Sequence, residues 1–247
     1  MLNRRASIPA LIPTLPLVLL CAVACKPSAF DALRAELVDE IGRDVRETRS
    51  YTGISQLDDD VMQAIGKVPR HEFVPATARD HAYENRALPI GEGQTISQPY
   101  IVAVMTDLAA VDADSIVLEV GTGSGYQAAV LAEIARHVYT IEIIEPLGRR
   151  AAEVLDRLGY RNVTVKIGDG YRGWPEFAPF DAIVVTAAPV EVPAPLIEQL
   201  KPGGRLVVPV GGQGAAQSLQ VLEKDAAGEI RATHVLPVRF VPFTRDP

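Results

Sequence analysis

Three glycines spaced two apart close a short apolar run in Val117-Leu-Glu119-Val-Gly121-Thr-Gly123-Ser-Gly125-Tyr. Glycines at such a strand-to-helix turn permit positive φ and let a ligand lie against the backbone, at the strand end where open sheets bind ligands. Spacing and charge then select the ligand. A dinucleotide turn wants G-x-G-x-x-G, with a pyrophosphate on the helix N-terminus. Here the order is G-x-G-x-G behind Glu119, whose carboxylate repels a pyrophosphate and suits a ligand with an ammonium and a sulfonium. The pattern favours S-adenosyl-L-methionine over NAD, although a glycine-rich turn alone also serves as a plain connection.

Further carboxylates stand at the ends of the next apolar runs, where one ligand could touch them all. Glu142 lies about 20 residues past the glycines, the place for a carboxylate that accepts both ribose hydroxyls. Asp169, followed by Gly170, could accept from an adenine amino group. Taken singly, each also reads as a solvated strand-end residue or a helix cap. His71, His81, His137 and His234 have no metal-ligand spacing, so no metal is expected. Tyr83, Tyr100 and Trp174 could wall a site but read first as packing residues.

The elements that must position these residues follow from periodicity. Apolar residues at helical spacing from Phe30 to Val45 predict an amphipathic helix to about residue 48, and Asp58 caps a second that Pro69 ends. Residues 88–99 have no sustained period and read as an ordered loop. From Ser115 onward, strands (116–120, 138–143, 163–167, 181–186, 205–210) alternate with helices (126–135, 147–158, 194–200). A strand pair (218–223, 230–238) closes the chain. The expected fold is α/β, a doubly wound, mostly parallel sheet with an antiparallel C-terminal strand pair and an N-terminal helical extension.

With 48% hydrophobic and 22% charged residues, the 247-residue chain can bury one sizeable core. Its net charge of -7, with no Lys/Arg stripe, argues against nucleic acid as a partner. Both cysteines, Cys21 and Cys25, lie near the N-terminus, which leaves the core no thiol for a nucleophile, a disulfide or zinc. Arg4 and Arg5 precede an apolar, proline-interrupted run at 8–23, too short to span a membrane comfortably. Ala22-Val-Ala24 then offers a cleavage site directly before Cys25, the lipidation candidate. The segments are therefore a lipoprotein-like signal peptide at 1–24, helices and a substrate loop at 25–98, and a donor-binding core at 99–247. Localisation is periplasmic or membrane-anchored if the signal is processed; an internal start would leave the chain cytoplasmic.

The chain resembles the protein-L-isoaspartate O-methyltransferases from about residue 55 to 245. The resemblance rests on Leu88-Pro-Ile-Gly-Glu-Gly-Gln-Thr95-Ile96-Ser97-Gln-Pro, on the glycine loop from Glu119 to Gln127, and on Gly168-Asp-Gly170. Phe180-Asp-Ala-Ile-Val-Val-Thr-Ala-Ala-Pro189, Leu200-Lys-Pro-Gly-Gly204 and Arg239-Phe-Val-Pro-Phe-Thr244 extend it. It implies the S-adenosylmethionine-dependent methyltransferase fold and methyl transfer to the free carboxylate of L-isoaspartyl residues in damaged proteins or peptides, a repair activity. By the same resemblance Ser97 is the active-site serine, with Thr95 and Ile96 where substrate meets donor. Glu119, Gly121, Gly123, Gly125, Glu142, Asp169, Gly170 and Thr244 are the donor-binding positions. Local pattern alone reads Ser97 as the N-cap of the helix that follows.

The chemistry is compatible with these residues. A peptide carboxylate with a pKa near 3.5 is ionised at neutral pH and needs no general base. What remains is to hold oxygen, methyl and sulfur in line, an effect worth roughly 7–11 kcal/mol at best, so Ser97 is assigned positioning and not covalent catalysis. The rival class is an exported, non-catalytic protein that keeps the fold and binds the donor without turnover. A nicotinamide enzyme is disfavoured by the glycine spacing.

Overall fold

The computed structural model describes residues 28–212 and 214–245; the signal segment, Cys21 and Cys25 lie outside them. Helix α1 (Ala29–Thr52) starts at a capping box in which Ser28 and Asp31 satisfy each other's backbone amides. It ends at Gly53, whose left-handed conformation lets its amide reach the carbonyl of Arg49. Leu37, Ile41 and Val45, four residues apart, form its buried stripe. Asp58 caps α2 (Asp59–Lys67) by accepting from the Asp60 amide. Short 3-10 helices follow, one turn at Arg70–Glu72 and six residues at Ala76–His81. No helix among the described residues is long and apolar enough to cross a membrane.

Residues 88–99 are not the loop expected above. Leu88–Gly91 (β1) and Gln94–Ile96 (β2) pair as a hairpin. Its turn residues Glu92 and Gly93 have φ of 53° and 70°, the conformation of a primed turn. Leu88, Ile90 and Ile96 point inward and anchor this separate two-stranded sheet. Helix α3 (Pro99–Ala109) follows at once, with proline in its first turn.

The main sheet comprises β3 (Ile116–Val120), β4 (His137–Glu142), β5 (Val163–Ile167), β6 (Phe180–Val185), β7 (Leu200–Val210), β8 (Gln217–Lys224) and β9 (Ile230–Val238). Their order is β5-β4-β3-β6-β7-β8-β9, parallel from β5 to β7 and antiparallel for the last two pairings, as expected. The connecting helices are α4 (Tyr126–Ala132), α5 (Glu145–Arg157) and α6 (Ala194–Glu198). The chain builds outward from β3 through β4 to β5, then returns to β6 on the other side of β3. This reversal opens a crevice beyond the ends of β3 and β6, the switch point where open α/β sheets bind ligands.

Alternation along the strands feeds two cores. Val117, Ala182, Val184 and Val207 meet α1 to α5 on one face, whereas Leu118, Ile183, Val185 and Leu206 meet α6 and Trp174 on the other. The winding is therefore lopsided, five helices against one five-residue helix and two single turns at Gly170–Arg172 and Pro175–Phe177. Each fully buried Leu or Ile contributes about 1.5–3 kcal/mol. Most of that sum lies on the five-helix face.

Candidate active site

A cavity opens at the switch point. Its floor is Glu119, the turn at 121–124 and Thr186; one wall is the hairpin end with Thr95, Ile96 and Ser97; the other is the tail at 241–244. Glu142 and Gly170 complete it at the strand ends.

Glu119 is fully buried on β3, and one carboxylate oxygen accepts from Thr140 Oγ1 at 2.5 Å. Thr140 Oγ1 also lies 2.6 Å from the hydroxyl of Thr122 on the glycine loop. The other oxygen, Oε1, has no hydrogen-bond partner among the described residues. Burial pushes the carboxyl up to about 8, against the Thr140 hydrogen bond that favours the anion, and the charge of Glu142 adds to the rise. An acceptor left in this state fits a ligand that brings its own positive charge.

Glu142 is held from two sides, Oε2 accepting from the Gly123 amide at 2.7 Å and Oε1 from the Ile144 amide at 2.9 Å. A carboxylate offers about four acceptor directions, so two remain for hydroxyl donors. Gly121 has φ +99°, and its carbonyl accepts from Thr186 Oγ1 at 2.5 Å, which fastens the β3 and β6 ends together across the crevice.

Two of the expected donor positions stand apart from the cavity. Gly125 is the N-cap of α4 and abuts Leu155 and Ala151 of α5; its role there is helix packing. Gly170 lines the cavity, whereas the Asp169 carboxylate accepts from the Tyr171 amide at 2.9 Å and lies 3.5 Å from Arg245 Nη2. Arg245 in turn lies over the Tyr171 ring at 3.7 Å. Thr244 is on the tail wall, and the tail is fixed by Phe243 N–H donating to Ala188 O and Ala188 N–H to Val241 O.

Ser97 is not the helix cap that local pattern suggests. Gln98 occupies that position without a side-chain bond, and the Ser97 hydroxyl makes no intramolecular hydrogen bond among the described residues. A second groove, between residues 85–87 and 237–241, meets the cavity at Thr95, Ser97, Thr186 and Val241. Sequence reading missed Thr186, which strand-end logic could have found, and Arg70, which no local signal marks. Arg70 is fully buried and donates from Nη2 to the Ser97 carbonyl at 2.8 Å.

A parallel sheet with an acidic glycine turn at its switch point and a second carboxylate at the next strand end has the fold of the S-adenosylmethionine-dependent methyltransferases. A solved protein-L-isoaspartate O-methyltransferase has the same fold, with a TM-score of 0.74 at 30% identity over 85% of this chain and 65% of its own. So does a Plasmodium falciparum β-aspartate methyltransferase solved with S-adenosyl-L-homocysteine, with a TM-score of 0.71 at 22% identity over 89% of this chain and all of its own. The chain belongs to the protein-L-isoaspartate(D-aspartate) O-methyltransferase (PCMT) family, whose model matches residues 45–246. It is 60% identical to protein-L-isoaspartate O-methyltransferase 2 of Syntrophobacter fumaroxidans, over 90% of either chain. Protein-L-isoaspartate O-methyltransferase 1 of Cupriavidus necator is 56% identical over 97% of this chain and 92% of its own.

Proposed function

We propose that the chain methylates the free carboxylate of L-isoaspartyl residues in damaged proteins or peptides, with Ser97 orienting the acceptor carboxylate and the Glu119–Glu142 side of the cavity holding the donor. One observation carries the assignment: a single cavity is lined both by the acidic glycine turn and by Thr95, Ile96 and Ser97. S-adenosyl-L-methionine supplies a methyl group already activated on a sulfonium. Glu119 Oε1 is free to receive a cationic group and the free directions of Glu142 to receive hydroxyls.

The acceptor carboxylate enters ionised, so the site has no proton to remove. The unengaged Ser97 hydroxyl donates to one carboxylate oxygen and leaves the other directed at the methyl. The hairpin and the tail at 241–244 wall the cavity against water. The groove that meets the cavity at Ser97 is where a peptide would lie. Transfer breaks the methyl–sulfur bond and releases S-adenosyl-L-homocysteine; the following backbone amide nitrogen then attacks the methyl ester, loses its proton and expels methanol to close a succinimide, whose hydrolysis partly restores a normal aspartyl link. The test is transfer of labelled methyl to an isoaspartyl peptide with an active enzyme alongside; donor binding without labelled ester would establish the non-catalytic alternative instead.

Residues 1–24 act in this reading as an export signal and Cys25 as the lipid-bearing residue, which puts the enzyme in the periplasm or on a membrane. Arg4, Arg5, the apolar run and Ala22-Val-Ala24 support it. Against it stands the scarcity of a cytosolic methyl donor outside the inner membrane. Mass spectrometry of the native N-terminus decides: a lipidated Cys25 establishes anchoring, and an intact Met1 or an internal start rules export out.

A further inference from the structure

Arg70 is fully buried, and each of its hydrogen-bond acceptors is a backbone carbonyl. Nε donates to Ala82 O at 2.9 Å; Nη2 donates to Ser97 O at 2.8 Å and, more weakly, to Arg86 O at 3.4 Å. Nη1 has no partner. The guanidinium carbon lies 4.8 Å from the ring centre of Tyr126, the first residue of α4 after the glycine turn. An ion taken out of water without a carboxylate partner is costly, and burial lowers this guanidinium to about 10.

The carbonyls it holds are informative. Arg86 precedes β1 and Ser97 follows β2, so one nitrogen gathers both roots of the hairpin. An isolated two-stranded hairpin is marginal by itself, yet this one carries Ser97 into the cavity and is not part of the main sheet. Methyl transfer tolerates little misplacement between acceptor oxygen and donor. A planar fork can bind several carbonyls in fixed directions, which a lysine ammonium cannot reproduce.

We infer that Arg70 is the positioning residue for methyl transfer, holding Ser97 in register with the donor-binding turn by clamping its carbonyl while resting on Tyr126. This rests on the role proposed for Ser97. The guanidinium does not line the cavity; it acts through the backbone of the residue that does.

A double-mutant cycle in the full-length protein tests it, with Arg70→Lys, Ser97→Ala and the pair. The readouts are kcat/KM for an isoaspartyl peptide and calorimetric binding of S-adenosyl-L-homocysteine, which counts competent molecules. Arg70→Lys should bind S-adenosyl-L-homocysteine within threefold of the parent and lose at least tenfold in kcat/KM per competent molecule. In the Ser97→Ala background the same change should cost less than threefold, because its route of action is already gone. Equal costs in both backgrounds, or no cost in either, overturn the inference. So does failure of both Arg70→Lys and Arg70→Met to fold, which makes Arg70 a folding residue. Absence of transfer by the parent protein instead defeats the functional reading on which the cycle depends.

Discussion

The Gly123 amide donates to Oε2 of Glu142 at 2.7 Å, so the glycine turn after β3 is tied to the carboxylate that ends β4. The two features proposed to hold the donor are one preassembled unit. Hydrogen bonds to charged groups contribute about 1.5–3 kcal/mol each. Glu142→Gln removes that charge and should weaken S-adenosyl-L-homocysteine binding on the order of 10- to 100-fold by calorimetry. A change below threefold would count against a donor-binding role.

Ser97→Ala separates a cap from a site residue. A lost N-cap costs about 1 kcal/mol of stability, but this hydroxyl caps nothing. Urea melts should move by less than about 0.5 kcal/mol. On the role proposed for it, a hydrogen bond to a charged acceptor, kcat/KM for the peptide should fall roughly 10- to 100-fold.

Gly121 and Gly93 both have positive φ, +99° and +70°, but only one is crowded. A Cβ at Gly121 would sit 2.4 Å from Thr186 Oγ1, whereas at Gly93 nothing lies within 4 Å. Gly121→Ala should destabilise by about 1–3 kcal/mol and abolish donor binding. Gly93→Ala should cost about 1 kcal/mol and leave donor binding alone. Thermal melts with and without S-adenosyl-L-homocysteine distinguish them.

Glu119 makes stability depend on pH with a definite sign. Unfolded, its carboxyl titrates near 4.3; folded, burial raises it to about 8. Between those values the folded chain holds more protons than the unfolded one, so this residue's contribution to stability falls as pH rises. The slope is at most about 1.4 kcal/mol per pH unit for one proton. Glu119→Gln should flatten the decline between pH 5 and 8 in urea melts. A cation seated against Glu119 also ionises it, so donor binding at pH 7 should release a proton, seen as calorimetric heats that vary with buffer ionisation enthalpy.

The parallel strands and their order of appearance were legible because the central runs, β3 and β6, are almost wholly buried and mostly apolar, with helical segments between the strands. Glu119, Gly121 and Glu142 were legible because strand ends of such sheets meet at one place. The hairpin was not: its strands are short, the register shifts between Pro89 and Gly91, and Glu92 takes positive φ where asparagine or aspartate would have announced the turn. Yet Leu88 and Ile90 point inward between exposed Pro89 and Gly91, an alternation too brief to read. Gly125 looked like its two neighbours because spacing cannot tell a ligand's approach from a helix's. Arg70 was invisible because its partners, 12 to 27 residues away, are backbone carbonyls, which every residue type has.

The capping box that starts α1 limits slack. Ser28 is the cap, three residues after Cys25, and Phe30 already stacks on His71 at 4.0 Å. Three residues span at most about 10 Å. A lipid on Cys25 would therefore act as a short rivet and not a leash, keeping the enzyme flush with the bilayer and bringing to it only substrates that reach that surface.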